Sequence, residues 1–398
     1  MSTAVMTNRL ELSSVANTAL KAAARFWFAV AVIGQLIFAF TVASFYGRSG
    51  VRGDWHAWNK GMAHGYIAGD SIGNFAVAVH LVSAVIVILA GVIQLIPQIR
   101  DRAPSLHRWN GRLYVVTAFT ISIAGLYMMW VRGSVGSLSQ HLGQSLNAVL
   151  IMLCAVMALR YALARDFKTH RRWALRLYLV VSASLFIRAG LFLSLFLNHG
   201  PFGFDPTTFS GPFLTFLSFA QYLLPLAVLE IYFRAQARPG APRFATAAGI
   251  FVLTVAMAAG IFAVSMGAWL PRVKAAYDNR TSIAEALSAT IASSGIDAAV
   301  RQYHELKAAG SPTYNFDESE LNNLGYDLIR AKKFDAAIRI FQLNVEAYPQ
   351  SGNVYDSLGE AYMDGGNKPL AIANYKRSLE LNPKNGGAVV MLRKLNAP

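Results

Sequence analysis

The sequence predicts an all-α protein in two parts, a seven-helix transmembrane bundle followed by an α-solenoid. Three observations carry that reading. Of 398 residues, 55% are hydrophobic and only 14% are charged, against about 25% charged in an average soluble domain. Seven apolar runs each approach or exceed the ~20 residues that cross a bilayer as helix. The charge is also divided unevenly. Residues 1–270 hold 21 Lys and Arg against 7 Asp and Glu, a net of +14, whereas residues 271–398 hold 15 against 14, a net of +1. This composition excludes a disordered chain and a disulfide scaffold. It also locates the formal +15 in the apolar half, where it reports topology, so no nucleic-acid partner is expected.

The elements follow in order. Residues 1–25 form a basic leader, expected on the cytoplasmic side. The spans fall at Phe26 to Tyr46, Phe75 to Ile96, Leu113 to Val131, Leu146 to Leu163, Leu175 to Leu197, Phe213 to Phe233 and Phe244 to Leu270. The first run exceeds the 7–15-residue apolar core of a signal peptide and reads as an uncleaved anchor. Helices are the expected form, because an open sheet leaves backbone groups unpaired in lipid. Sixteen cationic residues fall in the leader and in the connections after spans two, four and six. Only Arg48, Arg52, Lys60 and Arg132 fall on the other side. The N-terminus is therefore expected in the cytoplasm and the C-terminal part outside, which in a bacterial inner membrane means the periplasm. The single cysteine, Cys154, lies mid-span and reads as packing.

After the last span, residues 271–315 read as a linker with a degenerate helical pair, Ile283 to Ala309. A repeat domain follows over 316–398. Phe316 to Pro349 aligns with Gln350 to Pro383 without a gap, a period of 34 residues. Leu324-Gly325 matches Leu358-Gly359, Ala337 matches Ala371, Phe341 matches Tyr375 and Pro349 matches Pro383, and a closing helix is expected over 385–395. Small residues let two antiparallel helices approach, the aromatic fills the gap between hairpins, and the proline stops the second helix. This pattern resembles the tetratricopeptide repeat. The stretch is also similar to the repeat tail that follows the catalytic domain in some serine hydrolases of the β-lactamase type, through Asn344-Val345-Glu346 and the run Asn353 to Glu360. That catalytic domain is not in the chain. The resemblance implies a docking module for a protein or peptide partner, or a stabilising cap.

Histidines carry the most informative chemistry. His80 lies toward the outer end of span two and His141 just before span four. His107 and His170 open spans three and five from the inside. Two pairs on alternate helices at opposite faces are what two stacked bis-histidine b haems require, so His80/His141 and His107/His170 are candidate axial ligands. Arg188, inside span five, lies 18 residues or about 27 Å of helix from His170. An intramembrane cation is costly and usually functional, and a haem propionate, Asp70 or backbone carbonyls are its expected partners. Glycines and alanines sharing faces with these histidines leave either room for a flat macrocycle or close helix contacts. In the first outer loop, His56, His64, Asp54, Trp55, Trp58 and Asp70 form a weaker candidate for a metal or quinone-headgroup site.

The run His107-Arg108-Trp109-Asn110-Gly111-Arg112-Leu113-Tyr114 echoes His170-Arg171-Arg172-Trp173-Ala174-Leu175-Arg176-Leu177-Tyr178. With His80, Gly91 and Gln94, these runs resemble a group of predicted bacterial multipass membrane proteins of unknown function, over roughly Phe26 to Phe233. More remotely, the arrangement is similar to the ascorbate-reducible di-haem b-type cytochromes, which implies haem and electron transfer to a quinone or redox partner. No P-loop, G-x-G-x-x-G or H-E-x-x-H motif occurs, so the sequence assigns no enzymatic reaction. Three functions remain open: an electron carrier, a membrane scaffold or assembly factor, and a small-molecule transporter or sensor.

Overall fold

A computed structural model describes residues 3–396 except 63, 207 and 239, and gives backbone only for 3–13, 56, 60 and 396. The side chains of Arg9, His56 and Lys60, on which parts of the charge and loop readings rest, lie outside the described residues. The chain divides into two compact units, one made of 1–196 and 202–277, the other of 197–201 and 278–398.

In the first unit, α1 (Thr3–Val42) continues through a π-helical turn, Ala43–Gly47, into α2 (Arg48–Val51). A 3₁₀ helix, Trp55–Lys60, follows, with the Asp54 carboxylate accepting from Ala57 N. Then come α3 (Ser71–Leu95), α4 (Pro97–Arg102), α5 (Pro104–Trp130), α6 (Leu138–Leu163), α7 (Phe167–Val181), α8 (Ala183–Asn198), α9 (Pro212–Ala237), α10 (Ala241–Val264) and α11 (Leu270–Tyr277). Six helices are long and apolar enough to cross a membrane, or seven when the bent pair α7 and α8 counts as one span. Large apolar side chains such as Val116, Ile123, Val149, Leu153, Phe251 and Phe262 stay exposed along these helices, a surface that suits lipid and not water.

The caps explain the starts. Proline occupies the first turn of α4, α5, α9 and α10, where its missing N–H costs nothing. Asp70 caps α3 at Gly73 N, Asp166 caps α7 at Thr169 N, and Ser137 with Gln140 forms a capping box on α6. The principal packed pairs are α3 with α5, α1 with α10, and α6 with α7. Between α3 and α5 a Cβ added to Gly91 would lie 3.1 Å from the Tyr114 ring, and one added to Gly111 would lie 3.0 Å from Gln94 Nε2. Gly125 faces His80. The small-residue stripes are therefore filled from the neighbouring helix, and helix contact is what they serve here.

Span five differs from its expected form. Instead of one helix it breaks at Ser182, with a 46° bend between α7 and α8. The Ser182 hydroxyl donates to the Tyr178 carbonyl (2.6 Å) and accepts from Gln35 Nε2 (2.5 Å) on α1. A hydroxyl bonded back to the preceding turn bends a helix, and Gln35 fixes the bend from outside. Ser182→Ala leaves the buried Gln35 amide without this partner and is expected to cost about 1–3 kcal/mol, read as a lower melting temperature in detergent.

The second unit is a row of helical hairpins. α12 (Ile283–Ser294) pairs with α13 (Ile296–Ala308), α14 (Glu318–Arg330) with α15 (Phe334–Ala347), and α16 (Gly352–Asp364) with α17 (Lys368–Leu381), and α18 (Gly386–Asn396) follows. Gly325 receives the Phe341 ring, and 34 residues later Gly359 lies 3.1 Å, measured from an added Cβ, from the Tyr375 ring. Phe341 and Tyr375 are almost fully buried. One departure from an all-helical fold appears before α12. The two-residue strands β1 (Thr281–Ser282) and β2 (Tyr314–Asn315) pair in parallel. They tie the start of the α12–α13 hairpin to its end, so much of the stretch read as linker is ordered structure.

Candidate functional site

The structure treats the two histidine pairs differently. His107 and His170 are each the fourth residue of their helix, α5 and α7, and lie within electrostatic reach of one another. His170 Nδ1 is 2.8 Å from the Ala158 carbonyl of α6. A ring nitrogen against a carbonyl oxygen must carry the hydrogen, so Nε2 keeps its lone pair for a ligand. His107 Nε2 is 3.3 Å from Gln94 Nε2. The Gln94 amide is oriented by Asn110, whose Nδ2 donates to Gln94 Oε1 (2.8 Å) and also reaches the Ala90 carbonyl (2.8 Å). An amide nitrogen only donates, so Nε2 of His107 accepts. The second nitrogen, Nδ1, is buried with no hydrogen-bond partner.

The outer histidines have no traced neighbour in common. His80 lies against Gly125 and the backbone of Ile121 on α5, within electrostatic reach of Arg188, and its Nδ1 is buried without a partner. His141, on the first turn of α6, points back to its own loop. Its Nε2 is 3.3 Å from the Val135 carbonyl, and its ring meets Trp130 edge-on at 5.9 Å. Among the described residues no three His, Cys, Asp or Glu side chains converge on an ion site.

Arg188 is bonded to a backbone carbonyl and is not paired with Asp70. Its Nη1 donates to the Ser184 carbonyl one turn back (2.7 Å), and its guanidinium lies 4.7 Å from the Phe38 ring centre. Asp70 belongs instead to Arg132, whose side chain is only 2% exposed. Arg132 Nη1 is 3.1 Å from Asp70 Oδ2, its Nε donates to the His64 carbonyl (2.8 Å), and its Nη2 donates to Asn74 Oδ1 (2.8 Å). This anchor organises the first outer loop, and Trp58 in that loop is 5% exposed. Sequence reasoning named Asp70 and the loop aromatics but had no signal for Arg132, which looked like one more loop cation.

The two echoing basic runs prove alike in geometry. Arg112 lies over Trp109 at 4.7 Å and Arg176 over Trp173 at 4.8 Å, each three residues on. Arg176 also holds Glu230 of α9, with Nε 2.9 Å and Nη2 2.5 Å from Oε1. Glu230 therefore ties α7 to α9. Between the helices lie three buried tyrosine hydroxyls, of Tyr114, Tyr178 and Tyr222, without hydrogen-bond partners, and Cys154 is close to the first.

Residues 77–224 match the family model described as a predicted membrane protein (DUF2306). His80, His107, His141, His170 and Arg188 all fall inside that stretch. The match supports an integral membrane protein of an uncharacterised multipass family. No curated protein and no solved structure matches the chain.

Proposed function

We propose that the protein is a membrane-anchored docking protein of the bacterial inner membrane. In this reading its C-terminal hairpins are tetratricopeptide repeats that recruit a protein or peptide partner in the periplasm. The observation that carries it is the recurrence, 34 residues apart, of a glycine filled by the aromatic ring of the paired helix, Phe341 on Gly325 and Tyr375 on Gly359. Repeats of that kind present an extended face and bury little ligand. The cationic residues crowded on the connections assigned to the cytoplasm support the orientation. The test is crosslinking in intact cells followed by purification of the full-length protein. A defined crosslinked partner should survive His80→Ala and vanish when residues 316–383 are deleted. The opposite pattern overturns the reading.

A second reading, electron transfer, is favoured by the inner imidazole pair. His170, held by Ala158, and His107, steadied by Gln94, would hold one b haem between them. His170 has Nδ1 engaged and its Nε2 lone pair left over, as an axial ligand needs, and His107 would give up its hydrogen bond from Gln94 to offer Nε2 to the iron. A bound haem would supply one-electron chemistry at the cytoplasmic end. The surrounding Arg112 and Arg176 are engaged with Trp109 and Glu230. Protein purified from haem-supplemented cells should show a Soret band that His107→Ala and His170→Ala abolish and His141→Ala retains. A colourless wild-type protein sinks this reading and leaves the docking role untouched.

A further inference from the structure

A cavity of about 240 Å³ opens where the first outer loop meets the start of α3, lined by Trp55, Trp58, Tyr66, Asn74, Phe75 and Ala78. Four of its six lining residues are aromatic. The rings of Trp55 and Trp58 stand at 80° with centres 5.2 Å apart, so they form two adjoining walls of a box. The cavity is smaller than the roughly 300–1,000 Å³ of sites for drug-sized molecules, so it takes a headgroup and not a whole cofactor.

The polar groups of the lining narrow the occupant. Asn74 is engaged at both ends: its Nδ2 donates to the Ile67 carbonyl (2.8 Å), and its Oδ1 accepts from Ile67 N (3.0 Å) and from Arg132 (2.8 Å). The Trp58 indole N–H donates to the Tyr46 carbonyl (3.1 Å). A quinone carbonyl would find the Asn74 amide and the Trp58 N–H already committed elsewhere, and the ring faces that make up most of the lining offer it no donor. A simple ammonium would bring N–H groups with the same difficulty. A quaternary ammonium has neither donors nor acceptors, and its charge is attracted to the negative faces of aromatic rings, indole above all. Arg132, whose side chain is buried beside the box, is paired with Asp70, which offsets its repulsion of the guest.

We infer that this aromatic box is a binding site for a trimethylammonium group, carried either by a choline lipid headgroup or by a free solute of the choline and betaine kind. The box belongs to a loop held in place by Arg132, next to helices whose lipid-facing side chains are apolar, so both sources can reach it. The inference stands apart from the docking and haem readings and uses none of their residues.

The test uses purified full-length protein and reads its tryptophan fluorescence. Tetramethylammonium chloride and choline should quench it saturably, and ammonium chloride at equal ionic strength should not. Trp55→Ala, at a wall residue that is 40% exposed, should weaken binding at least tenfold, with Trp55→Phe losing less. Phe75→Ala, also at an exposed position, should weaken it in parallel. Nanodiscs distinguish the sources. If free choline binds in phosphatidylglycerol discs and is blocked in phosphatidylcholine discs, the lipid headgroup occupies the box. If it binds equally in both, the ligand is the free solute. Absence of saturable quenching in every medium overturns the inference, as does wild-type affinity in Trp55→Ala and Phe75→Ala.

Discussion

Phe341→Ala is expected to destabilise the repeat unit by about 3–5 kcal/mol, the range for a fully buried phenylalanine. Phe341 is 0% exposed and its ring occupies the notch that Gly325 leaves open on α14. It also meets Tyr326 edge to face at 5.3 Å. Removing it empties the space between α14 and α15. The converse change, Gly325→Val, places branched carbons into the ring itself, and overpacking of this kind costs about 1–3 kcal/mol or more. Limited proteolysis of the full-length protein reads both, with cleavage appearing between residues 316 and 383 while the membrane unit stays intact. Wild-type resistance in both variants contradicts the packing described. A loss of the same size is expected from Tyr375→Ala only if the second hairpin is as closely filled, and its 3.1 Å approach to Gly359 says that it is.

Arg132→Met should cost about 1.5–3 kcal/mol, because the charged hydrogen bonds of a buried guanidinium are lost, while the Asp70 carboxylate, 34% exposed, keeps contact with water. The His64 carbonyl and the Asn74 amide oxygen lose their donor, and Asp70 loses its ion-pair partner. Arg132→Lys keeps the charge but cannot serve three acceptors from one planar fork, so it should recover only part of the loss. Adding Asp70→Asn to Arg132→Met removes the stranded charge and should restore stability relative to the single variant. Thermal melting in detergent measures all three, and equal melting temperatures for wild type and Arg132→Met would contradict the anchor.

These cases mark what was legible in the sequence. The spans were legible because a helix in lipid must be apolar on most of its surface for ~20 residues. The bend was not, because it depends on one hydroxyl, Ser182, meeting an amide 147 residues earlier in the chain. The repeat was legible because a glycine and an aromatic must recur together for two helices to close. The strand pair Thr281–Ser282 and Tyr314–Asn315 is too short to leave any periodic trace. Among the histidines, sequence reported the depth of each along its helix but not the direction it faces. His107 and His170, in matching runs, lie within electrostatic reach of one another. His141 turns to Trp130 and to its own loop, a direction its level in the helix does not disclose. Arg132 shows the same limit: charge is visible in a sequence, but the three acceptors gathered around it are not.

The pairing of α1 with α10 has a consequence in time. Phe26 meets Phe251 with ring centres 5.6 Å apart, and Gly34 is covered by Ile261 and Leu185. About 200 residues separate these surfaces, so at ordinary rates of synthesis the first helix waits roughly 10–40 s for the last. Until Leu185 and then Ile261 emerge, the Gly34 face of α1 lacks these partners. The membrane unit therefore completes its assembly late, when the final hydrophobic segment leaves the ribosome, and a chain halted before residue 241 would hold every histidine discussed above in a bundle whose ends had never met.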